Sequence, residues 1–397
     1  MKSKILFSAS LFHALNDAAS VTVPMIFPLL YQQKFIIKNY FQIGLLSNLG
    51  LLITLIFQAV IVNLSHKYEY RHILCLSVLG ISLSLLLITF SSFFATLLIS
   101  YLLLRMFVSF YHPVGIAWVS KTHPDQALDF AMGIQSGSGN LGVLIAFVSS
   151  GFLAQGISWK TPMQAWAVIV LFLGFISFFS IRKTSTKSKS GPAIKHNLSS
   201  WIKTLASIKF FIPGFVFGGA CWGTTVFFAP SLFNHKFQVP LGKTGIYLAS
   251  WIGIGSLMTY IFGFLSRKFG RWKIARLGMI GSSFFLFGLG LAKKAEVAQL
   301  SLLFFGAFLF LLYPAFQSFV GNKVPFDNQA QAFSLVANIQ MLTGATVVLI
   351  DGFLSDKLGI SSPFILMATF GTVVAAYYLS RAFPLEAVKN KAELYGL

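Results

Sequence analysis

The chain has 397 residues, of which 56% are hydrophobic and only 10% charged, and its mean hydropathy is +0.77. A soluble domain carries roughly a quarter charged residues, so this composition cannot cover a water-facing surface, and a soluble enzyme or nucleic-acid binder is excluded. The formal net charge of +20 therefore needs a different reading, which its placement along the chain supplies.

Apolar stretches long enough to cross a bilayer as helices, about 20 residues each, lie near 5–32, 42–64, 72–90, 94–120, 127–155, 162–181, 206–233, 243–265, 272–292, 297–322, 330–356 and 362–382. The period-2 alternation of barrel strands is absent. An all-α membrane protein with twelve transmembrane helices is predicted. The turns are short and leave no room for a separate soluble domain. With both ends inside, most Lys and Arg fall on the inner side, which places both termini in the cytoplasm. The clearest basic block holds Arg182, Lys183, Lys187, Lys189, Lys195 and Lys203 without an acidic residue. Its Ser, Thr, Gly and Pro content reads as a flexible tether. The expected organisation is a first half over 1–182, an inter-half loop over 183–204 and a second half over 205–397.

Internal repetition supports two halves. Pro28-Leu29-Leu30-Tyr31-Gln32-Gln33-Lys34-Phe35 is answered 202 positions later by Pro230-Ser231-Leu232-Phe233-Asn234-His235-Lys236-Phe237. Gly151-Phe152-Leu153 returns 201 positions later as Gly352-Phe353-Leu354. Duplicated halves enclosing a midplane site are the plan of a secondary transporter. Cys75 and Cys221 both sit in apolar spans, so neither a disulfide framework nor a metal set is expected. Polar residues interrupt the first apolar run and no clear small-residue cleavage site follows, so it reads as a retained span.

In chain order, the first span places His13, Asn16, Asp17 and Ser20 on one helical face. A carboxylate at a helix centre costs about 2.5–3.5 kcal/mol to insert, and such residues usually face the bundle interior. Asp17 is the candidate proton-coupling group, with His13 as the partner that shares or relays the proton. The alternative is a structural polar cluster that pins the span to its neighbours. The fourth span carries Arg105, Ser109 and His112, and Pro113 should kink it near Ser109. Arg105 either binds an anionic substrate or pairs with Asp17. In the fifth span, Gln135, Ser136 and Asn140 stand among small residues suited to close helix packing. The second half offers Trp222 in span 7, Tyr247 in span 8, Tyr313, Pro314 and Gln317 in span 10, and Gln340 in span 11. The candidate substrate-binding set is Asn16, Arg105, His112, Gln135, Asn140, Trp222, Tyr247, Tyr313, Gln317 and Gln340. Asp351 is expected near the outer end of its span, as a cap or gate residue rather than a second proton site.

His13, Asn16 and Asp17, followed by Pro24 and Pro28, resemble the fosmidomycin-resistance-like branch of the major facilitator superfamily. So do Phe110-Tyr111-His112-Pro113 and Gly139-Asn140-Leu141-Gly142. The resemblance implies the major facilitator fold and a proton-coupled exporter of drugs or small organic anions in the bacterial inner membrane. The superfamily's inner-loop motif is best matched by Gly263-Phe264-Leu265-Ser266-Arg267-Lys268-Phe269-Gly270-Arg271, with Arg267 where an Asp is usual. The first-half copy, Asn63-Leu64-Ser65-His66-Lys67-Tyr68-Glu69-Tyr70-Arg71, lacks both the Asp and the Gly. Span 5 lacks the Gly-Pro pair that many exporters of the superfamily carry. The main expectation is export, and the alternative is proton-coupled import of a carboxylate, sugar or metal chelate. No nucleophile-and-base constellation or selectivity-filter loop points to an enzyme or channel. The expected partners are protons, a small-molecule substrate and the lipid bilayer, with no nucleic acid and no cofactor, and the chain is expected to act as a monomer.

Overall fold

The computed structural model describes residues 2–34, 36–65, 67–123, 126–180, 198–324 and 329–381. Among these the regular structure is helical throughout. The helices are α1 (Lys2–Gln32), α2 (Tyr40–Leu64), α3 (Tyr70–Thr89), α4 (Phe94–Val108), α5 (Tyr111–Thr122), α6 (Gln126–Gly156), α7 (Thr161–Phe179), α8 (Leu198–Ile208), α9 (Ile212–Ser231), α10 (Leu241–Phe269), α11 (Arg271–Leu291), α12 (Ala295–Lys323), α13 (Gln329–Leu358) and α14 (Ser362–Leu379). Eleven segments among the described residues are long and apolar enough to cross a membrane, α4 and α5 together forming one of them. α1 is a further helix of 31 residues, whose apolar character is diluted by Lys2, Lys4, His13, Asn16 and Asp17. With α1 this makes twelve long helices among the described residues, the number expected from the sequence.

Three local features differ from the expectation or sharpen it. The kink expected from Pro113 is a break at Ser109–Phe110, between α4 and α5. Proline cannot bond to the carbonyl of Ser109, so the last turn of α4 closes early, and Ser109 Oγ donates to Met106 O at 2.6 Å. Pro314 causes no such break, and α12 runs straight through it. The carbonyl it leaves free, that of Phe310, accepts from Thr259 Oγ1 of α10 at 3.2 Å. The basic inter-half loop lies largely outside the described residues, but its end over 198–204 is helical rather than a flexible tether. There Ser200 and Thr204 donate to Gln331 Oε1 at 3.1 and 3.0 Å.

Contacts divide the chain into two compact units. One comprises Met1–Gly191, Gly223–Gly253 and Ala345–Pro363; the other comprises Pro192–Trp222, Ile254–Gly344 and Phe364–Leu397. In the second unit, Arg276 on α11 donates to the carbonyls of Tyr378 (3.1 Å) and Arg381 (2.7 Å). Gly270 turns α10 into α11 at φ +87°, a conformation that favours glycine. At the equivalent turn of the first half, Glu69 is held by Arg71 at 2.9 Å, with His72 at 3.7 Å.

The first unit contains a seam built on the sequence repeat. A Cβ on Gly44 of α2 would lie 2.5 Å from Val348 O, and one on Gly352 of α13 would lie 2.6 Å from Tyr40 O. The positions 201 residues away repeat the arrangement. Gly245 of α10 rests on Phe147 O, and a Cβ on Gly151 of α6 would lie 2.6 Å from Leu241 O. Four glycines thus let α2 meet α13, and α6 meet α10, backbone to backbone. The same ends are capped in parallel. Asp356 accepts from the amides of Tyr40 and Phe41, both at 2.8 Å, and Gln155 accepts from Gly242 N at 2.8 Å. At the centre of the seam two equivalent positions meet, with Gln32 Nε2 donating to Asn234 Oδ1 at 3.1 Å. Tyr40 Oη donates to His235 Nδ1 at 2.7 Å, while His235 Nε2 donates to Pro28 O at 3.1 Å.

Overpacking such a contact costs about 1–3 kcal/mol. Cysteines placed at 32 and 234 should be joined readily by a short bifunctional thiol cross-linker. Adding Gly44→Val and Gly245→Val should lower the cross-linked fraction by about tenfold or more, and a cross-linking rate unchanged by these substitutions would contradict the seam. Asp356→Ala in the same assay removes a charged cap worth about 0.5–2 kcal/mol and should produce a smaller loss.

Candidate functional site

The strongest constraint in the first unit is a carboxylate inside an apolar bundle. Asp17 stands midway along α1, and its side chain is 20% exposed. His13, one turn earlier, brings Nε2 to 3.1 Å from Asp17 Oδ2. Asn16 Nδ2 donates to Asp17 Oδ1 at 3.1 Å, and His112 Nε2 approaches the same oxygen at 3.5 Å. A side chain from α5 thus completes a cluster that α1 begins.

Each support has a local cause. α1 packs chiefly on α6, and Gly139 and Gly142 of α6 make that approach possible. A Cβ on Gly139 would fall 2.7 Å from the His13 ring and 2.8 Å from Asp17 Oδ2, while Gly142 meets the carbonyl of Ala14. The break before α5 starts a new helix at Tyr111 and His112, directly against α1. Tyr111 stacks on His13 with centroids 4.5 Å apart, donates to Ala9 O at 2.8 Å and accepts from Gln135 Nε2 at 2.9 Å. The backbone of Gln135 takes the other nitrogen of His13, with Nδ1 2.8 Å from Gln135 O.

Hydrogen-bond accounting then counts the protons of the pair. The carbonyl oxygen facing Nδ1 only accepts, so that nitrogen carries a proton. The 3.1 Å contact between Nε2 and Asp17 Oδ2 holds one further proton, and with that proton on the ring His13 and Asp17 form an imidazolium–carboxylate pair. His112 is the open edge of the cluster, with 39% of its side chain exposed. The ligand-capable atoms of His13, Asp17 and His112 all lie within 4.8 Å of one another, a grouping that the spacing in sequence did not reveal. Three protein ligands are one short of a closed structural zinc site. A direct 3.1 Å contact is satisfied by a proton alone.

The other residues singled out from the sequence fall in several places. Arg105 is buried, but its Nε donates to Thr54 Oγ1 at 3.1 Å, and among the described ion pairs it has none with Asp17. Asn140 is half-buried on α6 beside Gly139. Tyr247 is buried in the first unit against Phe233, with centroids 5.2 Å apart. In the second unit, Tyr313 donates to Gly218 O at 3.0 Å, and a Cβ on Gly218 would lie 3.4 Å from Gln340 Nε2. Trp222 packs on Phe310, and Gln317 is exposed. Tyr111 was not singled out as a site residue, although it binds three members of the cluster. Its only signal in the sequence was its place beside His112-Pro113.

The pattern of the Major Facilitator Superfamily matches residues 6–347. The chain is 24% identical over 353 residues to the uncharacterized MFS-type transporter YybF of Bacillus subtilis, covering 84% of this chain and 83% of that one. A shorter stretch of 173 residues is 28% identical to the "Probable nitrate/nitrite antiporter NarK1" of Thermus thermophilus, and spans 38% of that protein's length. Among solved structures, a bacterial homolog of the human lysosomal transporter Spinster superposes with a TM-score of 0.83 at 15% identity, covering 97% of this chain and 98% of that one. A D-xylose-proton symporter superposes with a TM-score of 0.75 at 15% identity, covering 94% and 96%. The structural likenesses concern the fold alone, while the family match covers most of the chain. The protein is a multi-pass membrane transporter rather than an enzyme, and it belongs to the Major Facilitator Superfamily.

Proposed function

We propose that the chain is a proton-coupled secondary transporter for a small polar organic solute, with Asp17 and His13 as the coupling pair and His112 at the edge where substrate meets it. The carrying observation is the close His13–Asp17 contact on α1, an arrangement suited to hold one exchangeable proton, beside a half-exposed histidine. Moving that proton out leaves an unpaired carboxylate, and breaking a buried pair costs about 3–5 kcal/mol. A substrate donor arriving at His112 and Asp17 would offset this cost, and that offset is the coupling.

Uptake is favoured over the export implied by the drug-exporter branch. α6 contains no Gly-Pro pair, and one protein of similar fold is named a D-xylose-proton symporter. Arg105, with only its Nε committed among the described hydrogen bonds, stands in reserve for an anionic group on the substrate. The positive-inside distribution supports cytoplasmic termini in a bacterial inner membrane, and a single chain is the proposed working unit.

A pH gradient of one unit is worth about 1.4 kcal/mol, or about tenfold accumulation for one coupled proton. Proteoliposomes supplied with labelled pentoses, nucleosides and carboxylates should concentrate one class when the outside is acid. Asp17→Asn should abolish concentration but retain substrate exchange across the membrane. Concentration by the Asn variant at the wild-type level would remove Asp17 from the mechanism.

Gly139→Ala offers an independent check, because its methyl would displace His13 and Asp17 without touching their chemistry. The variant should insert normally and lose gradient-driven uptake by about tenfold or more, the scale of a 1.4 kcal/mol disturbance of the pair. Full uptake by this variant would show that the close α1–α6 contact does not set the pair's geometry.

A further inference from the structure

A second carboxyl group lies in the first unit, remote in sequence from the coupling pair and in a different setting. Asp351 on α13 is fully buried, at 0% exposure. Thr224 Oγ1 of α9 lies 2.6 Å from Asp351 Oδ2, and Oδ1 is buried with no hydrogen-bond partner. Among the described residues no Lys, Arg or His forms an ion pair with it. The charged and titratable groups at this end of the packed elements are engaged elsewhere. Asp356 caps α2, Lys236 donates to Ser361, and His235 lies between Tyr40 and Pro28 O. A carboxylate held by one neutral hydroxyl, with its second oxygen unmet, bears a desolvation penalty of several kcal/mol. The group that fits this place is the neutral acid.

Its position gives that proton a consequence. The next residue, Gly352, is part of the glycine seam on α2, where its Cβ would touch Tyr40 O. The equivalent position in the first half, 201 residues earlier, is Ser150, so the acid belongs to one half alone. Asp351 faces α9 through Thr224, beside the α2 face of α13, so parting α13 from α2 would open a way for water along α13 to it. In water the ionised form no longer bears the burial penalty.

We propose that Asp351 is a second proton-binding site, occupied while the glycine seam is closed and emptied to the adjoining water when the seam opens. The inference rests on the reading of the chain as an alternating-access transporter. It adds a proton whose release accompanies opening of this end, separate from the proton held by His13 and Asp17. The O–H bond of the acid breaks, the proton passes to water, and re-closure requires its return. Nothing else is oxidised, reduced or transferred.

The test needs no known substrate. Spin labels at the exposed positions 38 and 357, either side of the α2–α13 contact, report the seam by double electron–electron resonance in lipid nanodiscs between pH 5 and pH 9, a range on the order of that spanned by titrating side chains. A single linked proton changes the open-to-closed ratio by up to about tenfold per pH unit. The wild-type chain should show this slope, opening as pH rises, and lose its protonated-carboxyl infrared band over the same range. Asp351→Asn keeps the shape and the acceptor for Thr224 but cannot ionise. It should remain closed with a flat pH profile and lack that band. His235→Gln and Asp17→Asn should both retain the wild-type slope. A titrating Asn variant, a pH-independent wild type, or a slope lost with His235 would each overturn the proposal. If Asp17 is not the coupling group, uptake by Asp17→Asn shows it while this distance profile stands unchanged, so the two readings fail separately.

Discussion

A carboxylate cannot stay charged in an apolar bundle without a partner, and the first unit is organised around that cost at Asp17. One turn of α1 supplies His13 and Asn16, but the pair is complete only through other helices. α6 offers the carbonyl of Gln135 to the far nitrogen of His13, and Gly139 keeps α6 from pushing the ring aside. The break after α4 delivers Tyr111 and His112. Remove any of these and a charge is left buried with poor geometry, which costs more than the whole pair contributes to stability. A cluster that depends on three helices at once is also one that their movement disturbs, and this makes it suitable for coupling a proton to a change of shape.

The same logic, applied with opposite outcome, explains the other buried acid. Asp17 has a cation within hydrogen-bond reach, whereas Asp351 has one hydroxyl and an unmet oxygen. Two carboxyl groups in one protein therefore meet opposite surroundings, one beside an imidazole and one beside a single hydroxyl. Between the repeats the structure keeps backbone geometry and varies the chemistry. Gly44, Gly151, Gly245 and Gly352 are kept as glycine, because carbonyl oxygens stand where a Cβ would go. The caps they accompany differ, with Asp356 on one side and Gln155 on the other. The contact of the repeats at Gln32 and Asn234 needs only two amides, and has them.

Much of this was legible from the chain, for physical reasons that differ by residue. Helices of a membrane protein declare themselves through apolar length, so the spans and the duplicated halves could be read directly. His13 and Asp17 could be placed on one face because they are one turn apart on one helix. Pro113 announced a break, since it removes the amide hydrogen that the carbonyl of Ser109 would otherwise accept. Pro314 carried the same signal and broke nothing, because Thr259, far away in sequence, satisfies the freed carbonyl. Tyr111, the hold of Thr54 on Arg105 and the partner of Asp351 were not legible, because each depends on which helices become neighbours. Asp351 was expected to be a cap or gate at a helix end. The capping role falls to Asp356, one turn on, and Asp351 is sealed inside.

The account's central claim is that His13 carries a proton on each nitrogen because a carbonyl and a carboxylate hold them. Nitrogen-15 solid-state NMR of ring-labelled histidine in lipid bilayers measures this directly, with the His13 signals assigned by their loss in His13→Gln. The account predicts two protonated ring nitrogens at neutral pH, both coupled to oxygen acceptors. One protonated and one bare nitrogen would show a neutral ring, and the coupling pair as described would not exist.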